Sequence, residues 1–401
     1  MENKKHILFI SSWYPNRQDS THGIFNRFFA EAASLYNKVS VLHVCSEENL
    51  KSNFECVESY ENNIRTVTVY YKKIASRFPL FSQLKKKRKV LEAFDMGYDL
   101  LIKKEGKVDL IQINVIMQMG IGAYHLSQKH KIPYVINENW SGYCEEDGSY
   151  KGFTKQFYTR KIVKHAKAIM PTSTYLKEAM LSHNLNGNYV VVPNVVNVNI
   201  FKPEAKEQNK ITRLIHISSL NDREKNVSGL IRAFGKAVEK NTSLELNIVG
   251  EGVDKEKYKK LVNKLTLENK INFKGRIISK DLVYEINAND ALIMFSNYET
   301  FCLVIIEAFA CAKPVITSNA GAIKTYMKPE LGIMVEKQNE EQLTHAILDF
   351  SENKEKYDRN FIRQFAVDNY SYEKVGEKLD RIYNLALRTN KQSSTNSNTS
   401  N

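Results

Sequence analysis

The sequence predicts an α/β protein of two doubly wound domains facing a central cleft, and three observations carry that expectation. The chain has 401 residues, too many for one ordinary core and suited to two domains of roughly 150 to 200 residues each. Short β-branched runs alternate with longer segments of helical spacing, the pattern of a mainly parallel sheet with crossover helices. The alternation stops at a polar connector and then starts again.

In the first half the strand runs are His6 to Ile10, Val39 to Val44, Ile64 to Tyr70, Val108 to Ile113, Tyr134 to Ile136, Ala168 to Met170 and Tyr189 to Val192. Helical spacing lies between them, as in Phe25 to Tyr36 and Leu176 to Leu185. The connector from Pro193 to Pro203 and the charged stretch Glu204 to Lys210 read as a linker. Strands then recur at Leu214 to Ile217, Leu244 to Val249, Ile271 to Phe273, Ala291 to Phe295 and Val315 to Thr317. Helices are expected at Val227 to Val238, Lys255 to Leu265, Asp281 to Ile286 and Cys302 to Ala312. Beyond Tyr370, an amphipathic helix with a Ser371 cap is expected to return to the first domain. The expected domains are residues 1–198 with helix 371–389, and residues 199–370. The Ser, Asn and Thr of residues 390–401 have nothing apolar to pack and read as a disordered tail.

Composition narrows the function classes. Five cysteines without a CxxC pair, and no histidine at ligand spacing, argue for buried thiols in a reducing compartment and against a metal site. The apolar run after His6 is too short for a signal peptide, and no window suits a membrane span, so a cytoplasmic location is expected. A net charge of +13 favours an anionic partner. The densest basic run, Lys85 to Lys89, follows Phe78-Pro-Leu-Phe81 and fits peripheral contact with an anionic membrane at its inner face. Nucleic acid is not expected, because no zinc-finger, RRM or KH signature occurs. A nicotinamide dehydrogenase is not expected either, since no G-x-G-x-x-G follows an early strand.

The chemistry concentrates in Ser296-Asn-Tyr-Glu-Thr-Phe-Cys-Leu-Val-Ile-Ile-Glu307. A strand ends in a polar loop carrying Glu299, and Thr300 is expected to cap a helix whose first amides form an anion site. Each carboxylate can grip a pair of vicinal hydroxyls. Upstream, His216-Ile-Ser-Ser-Leu-Asn-Asp-Arg-Glu-Lys225 places Lys225 at a helix opening, where a fixed cation would stabilise a departing diphosphate. Further strand-end loops carry Gly23, Glu138 with Asn139, Gly250 and Arg276.

These segments resemble glycosyltransferase family 4. Glu299, seven residues and Glu307 reproduce its E-x7-E motif, with a similar Lys313-Pro-Val-Ile strand and Gly321 following. The resemblance implies Rossmann-like domains of the GT-B kind, residues 1–198 on the acceptor side and residues 199–370 binding the donor. It implies retaining, metal-independent transfer of a hexose from a UDP- or GDP-sugar to a glycan or lipid-linked acceptor, as in cell-surface polysaccharide synthesis. No cofactor is needed, the nucleotide-sugar being substrate. By the same resemblance Glu299 holds the sugar, Glu307 the ribose, and the main chain of Thr300, Phe301, Cys302 and Leu303 the diphosphate. Lys225 takes the family's lysine position. Gly23 matches a glycine-rich loop, Gly250 a Gly-x-Gly turn and Arg276 the stretch beside the base. Two departures stand out. Ser219 occupies the usual arginine position, leaving Arg223 to supply a second cation, and Asn139 replaces a histidine after Glu138. A sugar-nucleotide epimerase or phosphorylase on the same fold, and a non-catalytic nucleotide-sugar-binding subunit, remain alternatives.

Overall fold

The computed structural model describes residues 4–73, 79–117, 119–204 and 210–395. It divides into two compact units, Met1–Val195 with Tyr372–Asn401, and Val196–Ser371.

In the first unit the chain runs through β1 (His6–Ser11), α1 (Ile24–Ser34), β2 (Lys38–Glu47), β3 (Phe54–Glu61), β4 (Ile64–Lys72), α2 (Pro79–Glu105) and β5 (Leu110–Asn114). It continues through α3 (Gly120–His130), β6 (Tyr134–Glu138), α4 (Phe153–His165), β7 (Ile169–Pro171) and α5 (Thr174–Ser182). Among the described residues these strands form one sheet in the order β3-β4-β2-β1-β5-β6-β7. Every pair is parallel except the edge hairpin of β3 and β4. Strand alternation explains the unbroken apolar run of β1. Leu8 and Ile10 face one core with Leu42, Ile111 and Phe94, while Ile7 and Phe9 face the opposite core with Val39, Val135 and Phe29. A sheet covered on both faces needs apolar residues at both parities.

The second unit follows the same plan: β8 (Thr212–Ile217), α6 (Asp222–Lys225), α7 (Val227–Lys240), β9 (Leu244–Val249), α8 (Lys255–Lys264), β10 (Ile271–Gly275) and α9 (Ser279–Ala288). Then come β11 (Ala291–Met294), α10 (Leu303–Ala310), β12 (Val315–Ser318), β13 (Gly332–Val335), α11 (Glu340–Asn353) and α12 (Arg359–Tyr370). The described strands form an all-parallel sheet in the order β10-β9-β8-β11-β12-β13. The chain winds outward from β8 to one side and resumes at β11 on the other, so β8 and β11 flank the switch point. In open α/β sheets ligands bind outside the carboxyl ends of such a strand pair, because the loops leaving them diverge and leave a crevice.

The last helix, α13 (Tyr372–Thr395), belongs to the first unit. Its apolar stripe, Val375, Leu379, Ile382, Tyr383 and Ala386, joins the core that holds α1. A Cβ on Gly376 would lie 2.3 Å from the Ala32 carbonyl oxygen, so glycine permits that close approach. The Tyr383 hydroxyl donates to Gln112 Oε1 at 2.5 Å.

Three sequence expectations are corrected. The last helix continues to Thr395, so residues 390–395 are helical and not part of a tail. Lys, Gln, Ser and Thr cost only a few tenths of a kcal/mol each in extending an established helix; residues 396–401 lie outside the described set. Tyr189 to Val192 is not a strand, because only Tyr189 bridges to Ile169. Strand β3 was not anticipated: most of its residues are exposed at the sheet edge, and no apolar run marks it. Residues 205–209 of the expected linker also lie outside the described set.

Candidate functional site

The loops leaving β8 and β11 build one site. After β8, Asn221 caps the short α6, its Oδ1 accepting from Arg223 N at 3.2 Å. Asn226, at φ 47, ends α6 and caps α7 through Gly229 N at 3.3 Å. This double cap turns the chain sharply just after Lys225. After β11, Asn297 ties the second loop to the first: its N–H donates to Glu224 O at 2.8 Å and its Nδ2 to Arg223 O at 2.9 Å. The Ser318 hydroxyl holds Ser296 O at 2.7 Å, and Ala322 N donates to Glu299 O at 3.0 Å. A loop held at so many points has little freedom left, which pre-organises the side chains it carries.

Lys225 and Glu299, separated by 74 residues, meet here. The Lys225 Nζ donates to Glu299 Oε1 at 2.6 Å, with side chains only 16% and 9% exposed. The Ser296 hydroxyl donates to the same oxygen at 2.8 Å. Burial pulls the Lys225 ammonium toward neutrality, but the adjacent Glu299 charge outweighs it and holds its pKa above the usual lysine value. Lys225 is therefore a fixed cation at the switch point. Below it, His216 Nδ1 donates to Ile293 O at 2.9 Å, and its Nε2 accepts from the Ser218 hydroxyl at 2.7 Å. Burial depresses its pKa to about 4, which keeps the ring neutral.

The helix that follows Glu299 opens without a side-chain cap. Its N-cap residue is Cys302, at φ 70 in the left-handed region. Thr300 was expected to cap this helix and does not. The left-handed turn at Cys302 starts the helix two residues later than a Thr300 cap requires. Phe301 and Cys302 are buried, and Thr300 and Leu303 are half-buried; Tyr326 fastens the loop by donating to Phe301 O at 2.5 Å. The uncapped first-turn amides leave the positive end of α10 available to an anion.

Glu307 is the fifth residue of α10 and is 5% exposed. Its carboxyl has no hydrogen-bond partner among the described residues, and burial alone pushes its pKa up to about 7. A buried carboxylate without a donor is costly, and hydroxyls of a ligand would supply what the protein does not.

The remaining expected residues separate into two groups. Ser219, Arg223 and Arg276 are exposed; Arg223 is bound into the site through its backbone groups. Gly250, Gly23 and Glu138 are packed or hydrogen-bonded into the framework. Gly250 has φ 139, and a Cβ there would lie 1.9 Å from the Ser218 carbonyl oxygen. Glycine lets the β9 turn press against the loop that leads to Lys225. Gly250→Ala is expected to cost roughly 3 kcal/mol, read as a lowered urea midpoint with unchanged slope. An unchanged midpoint would show that this packing is not needed. Gly23, at φ 62, approaches Trp13 in the same way, a Cβ lying 2.4 Å from Trp13 O.

Glu138 was expected among the catalytic residues, facing a ligand. It is fully buried, accepting from Ile116 N at 3.1 Å and from the N–H groups of Asn139 and Trp140, each at 3.0 Å. Burial raises its pKa to about 7 against the pull of these donors. Its oxygens are committed to shaping the loop that presents the half-buried Asn139.

Sequence reading missed Ser296 and Asn297, which orient Glu299, although their place just before it was a usable signal. It also missed His43. That ring is 1% exposed and lines a cavity of about 530 Å³ with Ser12, Asn16, Asp19 and His22. Its Nδ1 lies 3.0 Å from Ser11 O, so it carries the proton, and Nε2 has no partner among the described residues. Burial lowers its pKa to about 4.

Comparison with known proteins bears on the second unit first. Residues 198–366 match the family model described as "Glycosyl transferases group 1". A probable sucrose-phosphate synthase of Thermosipho melanesiensis is 26% identical over 230 residues. That match covers 54% of this chain and 54% of the relative, so the chain aligns with about half of the relative's length. Sucrose-phosphate synthase from Thermosynechococcus elongatus superimposes with a TM-score of 0.75 at 19% identity, covering 96% of this chain and all of the other. HepE of Anabaena, solved in complex with UDP, gives 0.68 at 15% identity, covering 94% and 98%. At these identities the structural likeness speaks for the fold, which is GT-B.

Proposed function

From a chain with a group 1 glycosyl transferase domain, and hence a sugar-transferring enzyme, we propose a retaining, metal-independent transfer in the manner of glycosyltransferase family 4. The donor is a nucleoside diphosphate hexose and the acceptor is a glycan or lipid-linked sugar. The observation that carries this reading is the Lys225–Glu299 pair at the β8/β11 switch point, beside an uncapped helix with Glu307 in its second turn.

Each part has a task on the donor. The α10 amides and Lys225 receive the diphosphate, Glu307 accepts from the ribose hydroxyls, and Glu299 accepts from hydroxyls of the hexose. As the bond from the anomeric carbon to the phosphate oxygen breaks, negative charge gathers on the diphosphate. Lys225 and the helix terminus are already aimed at it and need no reorganisation. The acceptor oxygen attacks the anomeric carbon on the face the phosphate leaves. Its proton passes to the departing phosphate oxygen, so no protein base is required. That is consistent with Asn139, which cannot gain a proton, standing where the family has histidine. The GT-B fold and the UDP bound to Anabaena HepE support a uridine donor as the first to test. With a lipid-linked acceptor goes peripheral contact with the inner face of a membrane through the basic run at residues 85–89.

A melting-temperature panel of UDP-, GDP- and ADP-hexoses tests the reading. One base is expected to raise the melting temperature by several degrees, as ligand at about 100 times its Kd adds ~2.7 kcal/mol. No shift with any of them would remove the donor site from consideration. Epimerised sugar formed without acceptor would instead favour an epimerase.

A further inference from the structure

Helix α4 presents an unusual outer face. Phe153 is 84% exposed and Phe157 53% exposed, one turn apart, with rings stacked at 6.4 Å between centroids. Further along the same face lie Arg160, Lys161 and Lys164, all exposed, while Thr159, Ile162 and Val163 face the core. The helix contains no Asp or Glu. Its N-terminal end touches the basic run of α2: the Lys87 Nζ donates to Tyr158 Oη at 2.9 Å and sits 4.9 Å from that ring's centroid. Tyr158 in turn packs edge-on against Phe157. Lys85, Lys86, Lys87 and Arg88 are exposed. One continuous surface thus joins two protruding aromatic rings to cations on two helices.

We propose that this surface is a membrane-docking platform, in which Phe153 and Phe157 enter the headgroup region of an anionic bilayer and the cations of α2 and α4 engage its lipid charges. Large apolar side chains standing in water on a folded surface mark an interaction site. Charge complementarity names the occupant, because α4 carries cations and no acids and α2 adds Lys85 to Lys89 before its first acid, Glu92, a cationic excess that attracts an anionic surface, and insertion of the aromatics adds apolar burial. The sequence offered Phe78 and Phe81 as the aromatic partners of the basic run. Phe78 and the side chain of Phe81 lie outside the described residues, and the structure adds Phe153 and Phe157 to the aromatic groups beside the basic run. Nucleic acid is less suited, since the sequence carries no zinc-finger, RRM or KH signature.

This inference rests on the membrane contact proposed above, not on the reaction, so the two fail separately. The full chain is sedimented with vesicles of phosphatidylcholine alone and of phosphatidylcholine with phosphatidylglycerol. Wild type is expected to pellet with the anionic vesicles and to be released by salt. The double variant Phe153→Ser/Phe157→Ser should lose at least roughly tenfold in partitioning, with melting temperature and donor-induced shift unchanged. Wild type remaining in the supernatant with anionic vesicles overturns the proposal, as does a double variant that pellets like wild type. Retention by a single-stranded oligonucleotide that the double variant loses, without vesicle binding, assigns the surface to nucleic acid instead.

Discussion

Lys225→Met is expected to lower sugar transfer by about 10²- to 10³-fold, the range for removing one pre-aimed donor to developing charge. It also destabilises the protein by about 3 kcal/mol, because Glu299 is left largely buried without its cation. Ser296 still donates to the carboxylate, which keeps the loss at the lower end for a broken pair. The two effects separate in the double variant Lys225→Met/Glu299→Gln. With both charges gone nothing is left unpaired, and stability returns to near the wild-type value. Activity is not expected to return, because on the proposed assignment neither the leaving diphosphate nor the hexose has its partner. Urea unfolding and initial rates on the four members of the cycle check this. A double variant that recovers turnover along with stability would show that the pair serves only the fold.

Glu307→Gln is expected to make the unliganded protein more stable and unable to hold its donor. The carboxyl has a folded pKa of about 7 against an ordinary value of 4.5, raised by burial. Below pH 4.5 both folded and unfolded states hold the proton, and the glutamate costs nothing. Between 4.5 and about 7 the unfolded chain releases its proton while the folded protein retains it, so stability falls as pH rises. Above 7 the penalty levels off at about 3 kcal/mol, since each tenfold difference in proton affinity between the two states is worth ~1.4 kcal/mol. Glu307→Gln should therefore match wild type at pH 4 and exceed it by roughly that amount at pH 8. Glu138 follows the same trend, but it is present in both proteins and cancels. Donor affinity has the opposite response. On the proposed assignment ribose hydroxyls donate to the ionised carboxylate, so wild-type affinity is expected to rise as pH passes through 7, and the glutamine variant to lose both the affinity and that rise. Equal stability of the two proteins at pH 8, with the donor-induced shift retained, would mean that Glu307 faces no ligand.

Much of the fold was legible because it depends on local periodicity. The parallel sheets show in apolar runs such as His6 to Ile10, whose both parities must be buried, and the crossover helices show in 3.6-residue spacing. Strand β3 escaped because an edge strand with an exposed face carries neither signal. Thr300 was misplaced as a cap because the left-handed turn at Cys302 leaves no mark in composition.

By itself the sequence determined the two α/β units, the strand-loop-helix around Glu299 and Glu307, and the candidacy of Lys225, all of which are statements about neighbours along the chain. Only the tertiary structure decided that Lys225 reaches Glu299 across 74 residues, that Glu307 has no donor among the described residues, that Glu138 is spent on backbone amides, and that Phe157 joins the basic run through Tyr158. The physical reason is common to all four. Hydrogen bonding, desolvation and charge pairing depend on distance in space, and the sheet order that sets those distances is made by pairings between residues far apart in sequence.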